Sequence, residues 1–243
     1  MSWANALGTP YSGMMMDDPD LDRALLAALF EQAALRGWPE ATIASAARDA
    51  GLPLDRVRAR FPSKGAALLR FGLLADQAAL GSGTPDETPR ERLFDMVMRR
   101  FDSLQAHRDG VLALMRALPR EPGTSALLYM ATLRSMGWLL DAAGVPLGGL
   151  AGQLRAHGLL AIWMRALRAW QDDESQDLSA TMAAVDKGLD QALRAEGWLP
   201  FRSGSAADAA EVLETAGEPV EDTATDPFSP PPAEPPASPP IVM

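Results

Sequence analysis

The sequence contains no cysteine. That excludes a disulfide scaffold, a thiolate zinc site and cysteine catalysis, and it suits a cytoplasmic protein. Histidine is almost missing as well. His107 and His157 are the only two, and neither has a second histidine or a carboxylate at metal-binding spacing. There is no Ser/His/Asp arrangement, no glycine-rich phosphate loop and no catalytic acid pair. The expectation is therefore a protein that is not an enzyme and needs neither metal nor cofactor. No apolar run reaches the roughly 20 residues that span a bilayer. The most apolar stretch, 149–170, is interrupted by Gln153, Arg155, His157, Arg165 and Arg168, so no stable membrane insertion is expected. The N-terminus also lacks the basic region and apolar stretch of a secretory signal.

Positive charge is missing from one segment in particular. From Ser203 onward there are nine prolines and eight acids but no Lys or Arg. Such a composition buries too little apolar surface to offset chain entropy, and 203–243 reads as a disordered acidic, proline-rich tail. Without those eight acids the net charge of −10 falls to −2 for residues 1–202 (−10 + 8). The acidity of the whole chain thus says nothing against a nucleic-acid partner. Residues 1–18, with the methionines Met14 to Met16, read as a flexible N-terminus.

What remains is rich in Ala, Leu, Arg, Met and Gln and poor in β-branched residues. No stretch alternates with period two, so the expected class is all-α with no sheet. Breakers cut the body into helices at about 20–36, 40–50 and 54–60, one after Pro62, and then 90–106, 109–118, 124–143, 149–171 and 177–196. The linker "GSGTPDETP" at 81–89 separates a front part, 19–80, from a rear bundle, 89–200.

The front part carries the stretch "SAARDAGLPLDRV". Ala46, Ala47 and Ala50 permit close packing, Gly51 can take positive φ at a corner, and Leu54, Val57 and Phe61 form a stripe at helical spacing. This is the pattern of a helix-turn-helix. On 100° steps Asp55, Arg56 and Ala59 point away from the core, with Arg58 and Arg60 on its flanks. Between Glu40 and Phe71 six cations (Arg48, Arg56, Arg58, Arg60, Lys64, Arg70) face three acids (Glu40, Asp49, Asp55). An exposed arginine here could pair with guanine and the flanking ones with phosphates. The same residues also suit a plain solvated face, and Asp55 beside DNA is repelled unless it reads a cytosine amino group.

On the residues "GWPEATIASAARDAGLPLDRVRARFPSKGAALL", the stretch 22–80 resembles the DNA-binding domain of the TetR family of transcriptional repressors. Thr42, Ile43, Ala47, Ala50, Gly51, Val57, Phe61, Pro62, Ser63 and Lys64 fall where that family has like residues, and "FPSK" is the most specific part. The resemblance implies a third helix in the major groove, Lys64 on a phosphate, Thr42 capping the second helix and meeting the DNA backbone, and Arg56 on the groove side. With Arg48, Leu54, Asp55, Arg58 and Arg60 these make up the candidate interface. The sequence departs from the family at Arg58, usually tyrosine, and at Pro53, usually serine or threonine. It departs again at Leu54, usually basic or small, and at Ala46, usually a bulky aliphatic.

The rear part has a second resemblance. "LPREP" (118–122), "RSMGWLLDAAG" (134–144) and "WQDDESQDLSATMAAVDKGL" (170–189) are similar to segments of the ubiquinone-biosynthesis accessory proteins, which share the TetR fold but bind lipids or isoprenoids instead of DNA. Trp138, Ala143, Gly144, Trp170, Asp172, Ser175, Asp177, Thr181 and Asp186 carry it. Those proteins finish in an amphipathic membrane-binding helix, where this chain runs through "EGWLPFR" into the acidic tail.

Methionines and tryptophans are spread through the rear helices. Met115, Met136, Trp138, His157, Trp163 and Met164 are the candidate lining of a pocket for a small apolar ligand, soft side chains being suited to one; for any single methionine, and for His157, a plain core position is the more ordinary reading. His107, beside Arg108 at a helix end, is expected to be solvated. Asp172, Asp173, Glu174 and Asp177 read as acids favoured by the dipole of the next helix. Helices 149–171 and 177–196 carry apolar residues on more than one side, which points to a homodimer. A twofold pair would set two reading helices about 34–36 Å apart on a pseudo-palindromic operator in double-stranded DNA. The leading expectation is a ligand-controlled DNA-binding repressor. The alternative is a DNA-free lipid-binding accessory protein.

Overall fold

In a computed structural model, placement is described for residues 17–81, 87–175 and 177–194. Contacts divide the chain into residues 1–200 and 201–243, and every described residue belongs to the first unit. Of the expected flexible start (1–18), residues 1–16 lie outside the described residues, as does the expected disordered tail (203–243), whereas Asp17 and Asp18 are the cap and first residue of a helix.

Proline, glycine and short polar side chains punctuate the fold much as the sequence predicts. Nine α-helices and one 3-10 turn are present among the described residues, and no strand. Asp17 caps α1 (Asp18–Arg36), its carboxylate accepting from the Asp20 N–H at 2.9 Å. Gly37 ends α1 at φ 88°. α2 (Ile43–Asp49) starts three residues later than expected, because Thr42 is the N-cap and accepts from the Ser45 N–H at 3.1 Å. Gly51 then takes φ 66°. The Leu52 N–H reaches Ala47 O at 2.8 Å and the Gly51 N–H reaches Arg48 O at 3.1 Å, a Schellman closure that only a residue tolerant of positive φ completes cheaply. Pro53 starts α3 (Leu54–Arg60), and Ser63 caps α4 (Lys64–Leu80).

Thr88 and Glu91 form a capping box at the start of α5 (Pro89–Gln105). α6 (Arg108–Ala117) leads through the 3-10 turn Leu118–Arg120 into α7 (Pro122–Ala142). α8 (Gly149–Asp172) and α9 (Ser179–Arg194) follow. α9 begins two residues later than expected, after Leu178 at φ 54°.

α1, α2 and α3 make the front unit. Buried Gln32 joins α1 to α2, donating to Ser45 Oγ at 2.9 Å and Asp49 Oδ2 at 2.6 Å. α4 leaves the front and packs on α5 and α7, while α1 packs on α6 and α8 on α9. α6 comes close to α1 because Gly110 has no side chain; a Cβ there would lie 2.3 Å from Phe30 O. Beside this contact His107 stacks on Phe30 at 5.4 Å and meets Phe71 edge-on at 5.8 Å. His107 is thus half-buried, not solvated, and burial pushes its pKa down. The sequence could not show this, since its two aromatic partners lie far away along the chain.

The acidic 172–177 segment also does more than favour a dipole. Asp173 is buried and accepts from the Thr181 N–H and Oγ1, both at 2.8 Å, and from Ser175. Burial alone would raise its pKa, but these hydrogen bonds outweigh it and hold the carboxyl at about 2. No group of three or more His, Asp or Glu side chains that could hold a metal ion occurs among the described residues. None of the described helices is long and apolar enough to cross a membrane.

Candidate nucleic-acid interface and ligand cavity

α3 is anchored by Val57 and by Phe61 at its end, both buried. Leu54, expected on the same stripe, is 46% exposed. Its place in the core is taken by Leu52, which the turn brings inward ahead of Pro53. The exposed start of α3 therefore presents Leu54 and Asp55, neither of which has a hydrogen-bond donor on its side chain.

The arginines of α3 already have protein partners. Arg56 Nη2 donates to Asp18 at 2.9 Å. Arg60 binds Asp22 through Nε and through Nη2, the latter at 2.7 Å, and reaches Asp18 at 3.3 Å. Arg70 of α4 donates to the same Asp22 at 2.5 Å. Asp22 is fully buried. Burial by itself would raise its pKa, yet the hydrogen bonds and charges of Arg60 and Arg70 hold it below the usual carboxylate value. The bond to Asp22 in turn raises Arg60. Arg58 turns back along its own helix end and donates to Pro62 O at 2.8 Å. Lys64 is half-buried: it donates to Trp38 O at 3.0 Å and lies 4.9 Å from the centre of the Trp38 ring. Thr42 does the capping expected of it, and Arg48 is exposed on α2.

The two acids that take up these arginines, Asp18 and Asp22, were not among the candidate residues. A count over 40–71 misses them because they sit on α1. One signal was legible: Asp22, Leu26, Leu29 and Ala33 follow one another at spacings of four, three and four, so Asp22 heads an apolar stripe. A carboxylate there needs cationic partners when buried.

The rear helices enclose a cavity of about 320 Å³ lined from α4 to α8. Leu68, Phe71 and Gly72 form its α4 wall, Val111, Leu114 and Met115 its α6 wall, and Leu160, Trp163 and Met164 its α8 wall. Tyr129 and Met164 stand at its mouth, 49% and 46% exposed. Of the expected lining, Met115, Trp163 and Met164 are here. Met136 is fully buried elsewhere in the core. Trp138 is 57% exposed and lines a separate outer groove with Leu69 and Leu73. His157 lies outside the cavity, exposed, its Nδ1 2.8 Å from Gln153 O. The helical phase explains this: Trp138 and His157 fall on outward faces of α7 and α8.

Arg100, which sequence reasoning passed over, is buried in the cavity wall. Its Nη1 bonds Asp76 and Ser135, and its guanidinium lies 4.9 Å from the Trp163 ring.

This architecture has solved counterparts. A TetR transcriptional regulator from Nitrosomonas europaea ATCC 19718 matches with TM-score 0.59 at 20% identity, over 70% of this chain and 96% of its own. A TetR-family regulator from Rhodococcus sp. matches with TM-score 0.52 at 17% identity, over 70% and 97%. Another from Streptomyces coelicolor gives TM-score 0.50 at 19% identity, over 83% and 99%. No protein-family model matches the sequence, and no curated protein does. The chain thus has the fold of the TetR-family transcriptional regulators, helix-turn-helix included.

Proposed function

We propose that this protein binds a small apolar molecule in the α4–α8 cavity and that its helix-turn-helix serves as a structural front rather than a reader of bases. The observation that carries the second half is the engagement of Arg56 and Arg60 by Asp18 and Asp22. Phosphates and base edges are met by cationic and polar side chains; here Arg56 and Arg60 are paired with Asp18 and Asp22, and with those two acids counted the six cations between Glu40 and Phe71 face five carboxylates, a surplus of one. The first half is supported by a cavity at the small end of the usual ligand-site range of about 300–1,000 Å³. The resemblance of the rear segments to lipid- and isoprenoid-binding accessory proteins supports it too.

The rival reading is a ligand-controlled repressor on a pseudo-palindromic operator. It is favoured by the intact Gly51 corner, by exposed Arg48 and Arg58, and by the weakness of an exposed pair such as Arg56–Asp18, worth only about 0–1 kcal/mol. A phosphate could displace that pair. Displacing Arg60 from buried Asp22 is harder, because it leaves that carboxylate to Arg70 alone.

Both readings share a cytoplasmic location and a homodimer through α8 and α9. Gly158, Ala161, Gly188 and Ala192 form a shallow concavity between these helices, beside exposed Leu150, Leu154 and Met182. Sedimentation velocity should give twice the chain mass for the wild type and the chain mass for Ala161→Glu; a wild-type monomer would remove the dimer.

Gly72 supplies the test of the cavity. It lies inside α4 on the cavity wall, and a Cβ built on it meets nothing within 4 Å. Gly72→Leu has room for its Cβ and should project its isobutyl group into the cavity, and it should improve helix propensity by up to about 1 kcal/mol. Organic extraction of freshly purified protein, read by mass spectrometry, should yield one apolar compound near one equivalent per chain from the wild type and almost none from Gly72→Leu. Equal recovery from both would contradict the cavity assignment.

A further inference from the structure

The cavity is not uniformly apolar, and its one buried cation is incompletely used. Arg100, on α5, is 5% exposed. It stands where the cavity and the groove of Trp138 adjoin, since Leu68, Gly72, Leu128, Thr132 and Arg100 line both. Among the described residues its hydrogen bonds all run from Nη1, to Asp76 of α4 and Ser135 of α7, and the Ser135 hydroxyl itself donates to Asp76. Nε is buried and has no acceptor within reach. One face of the guanidinium lies against Trp163, which also lines the cavity.

A buried guanidinium N–H without an acceptor is costly in a low-dielectric wall. The rest of that wall is mostly apolar, and its three hydroxyls, Ser125, Tyr129 and Thr132, make no hydrogen bond to Arg100. An occupant's oxygen cannot reach Nε, which has no accessible surface, but it can reach Nη2, which makes no hydrogen bond among the described residues. The occupant's charge is set by what Arg100 already faces: Asp76 balances the guanidinium, so a second carboxylate would bring two anions onto one cation away from water.

We propose, resting on the cavity reading above, that the ligand is an apolar molecule carrying a neutral acceptor oxygen, a ketone, enone or ester carbonyl, gripped by Nη2 of Arg100. The hydrocarbon body occupies the space between α4, α6 and α8. The carbonyl sits at the α5 wall against Arg100 and Trp163. Arg100 thereby sets both the orientation and the chemical class of the ligand, while Asp76 and Ser135 fix the guanidinium plane.

The test uses the full chain and displacement of the neutral fluorescent reporter N-phenyl-1-naphthylamine by 2-decanone, decane and decanoate. In Arg100→Met combined with Asp76→Asn, which removes the charges as a pair, the Kd of 2-decanone should rise about tenfold or more while that of decane stays within about twofold. Arg100→Lys, which keeps a cation opposite Asp76 but has no second donor edge, should show the same selective loss and serves if the paired variant does not fold. Asp76→Asn alone should keep the tight binding of 2-decanone. Parallel changes for 2-decanone and decane would overturn the role of Arg100 and leave the cavity standing. Tighter binding of decanoate than of 2-decanone would overturn the neutral class. Failure of all three probes to displace the reporter from the wild type would overturn the cavity assignment and this inference with it.

Discussion

Taking the charge off Asp22 should loosen the whole front of the molecule. Its carboxylate is buried and shared by Arg60 of α3 and Arg70 of α4, so Asp22→Asn leaves Arg70 without a counter-charge and Arg60 with only exposed Asp18 at 3.3 Å. The loss should be on the order of 2–3 kcal/mol in urea unfolding. That is below the ~3–5 kcal/mol of a fully buried pair because both guanidinium groups keep some contact with water. The pH dependence has a definite sign. The folded pKa of Asp22 lies below its ordinary value of 3.8, so its contribution is complete above about pH 4 and disappears as the pH falls through the folded pKa. Wild type and Asp22→Asn should therefore differ at pH 7 and converge in strong acid. A constant gap across that range would contradict the ion-pair account. Arg56 belongs at this scale too: its bond to Asp18 is exposed on both sides and holds the side chain's direction more than it holds the fold.

At the scale of the helix, the junction of α1 and α6 is the tightest point between front and rear. A Cβ on Gly110 would lie 2.3 Å from Phe30 O and 2.7 Å from Phe30 Cβ. Backbone cannot yield as a flexible side-chain end can, so Gly110→Ala should push the two helices apart and destabilise by about 1–3 kcal/mol. Gly72→Ala, on the open wall of α4, should be neutral or stabilising in the same thermal melts. If both behave alike, helix propensity and not packing governs Gly110.

Helices of this kind were largely legible in the sequence, because their ends are set by local chemistry. Asp17, Thr42, Ser63 and Thr88 each cap the residues that follow them, and Gly51 bends where only positive φ serves. What was not legible joins residues remote along the chain. Arg56 and Arg60 are 38 residues from the acids that hold them, and His107 reaches aromatic rings on α1 and α4. The expected cavity lining divides for a related reason. Met115 and Trp163 line the cavity and Met164 stands at its mouth, whereas the phase of α7 and α8 turns Trp138 and His157 outward. Arg100 went unnoticed because an arginine in an otherwise apolar helix face looks solvated until its partners are known.

At the scale of the whole molecule, the fold and the chemistry of its front surface point different ways. The fold is that of TetR-family transcriptional regulators; on the surface that would meet DNA, Arg56 and Arg60 are tied to the protein's own carboxylates. Electrostatic attraction to the phosphate backbone supplies most nonspecific affinity, and that pairing weakens the attraction before any base is read. The account therefore turns on whether the purified protein recognises DNA at all. Sheared genomic DNA, captured at low salt by the full chain and sequenced, decides it, with Arg56→Ala plus Lys64→Ala as the control. The expected result is no sequence enriched by the wild type over that double variant. A discrete set of fragments sharing an inverted repeat, bound by the wild type and lost in the double variant, would contradict the account and restore the repressor reading.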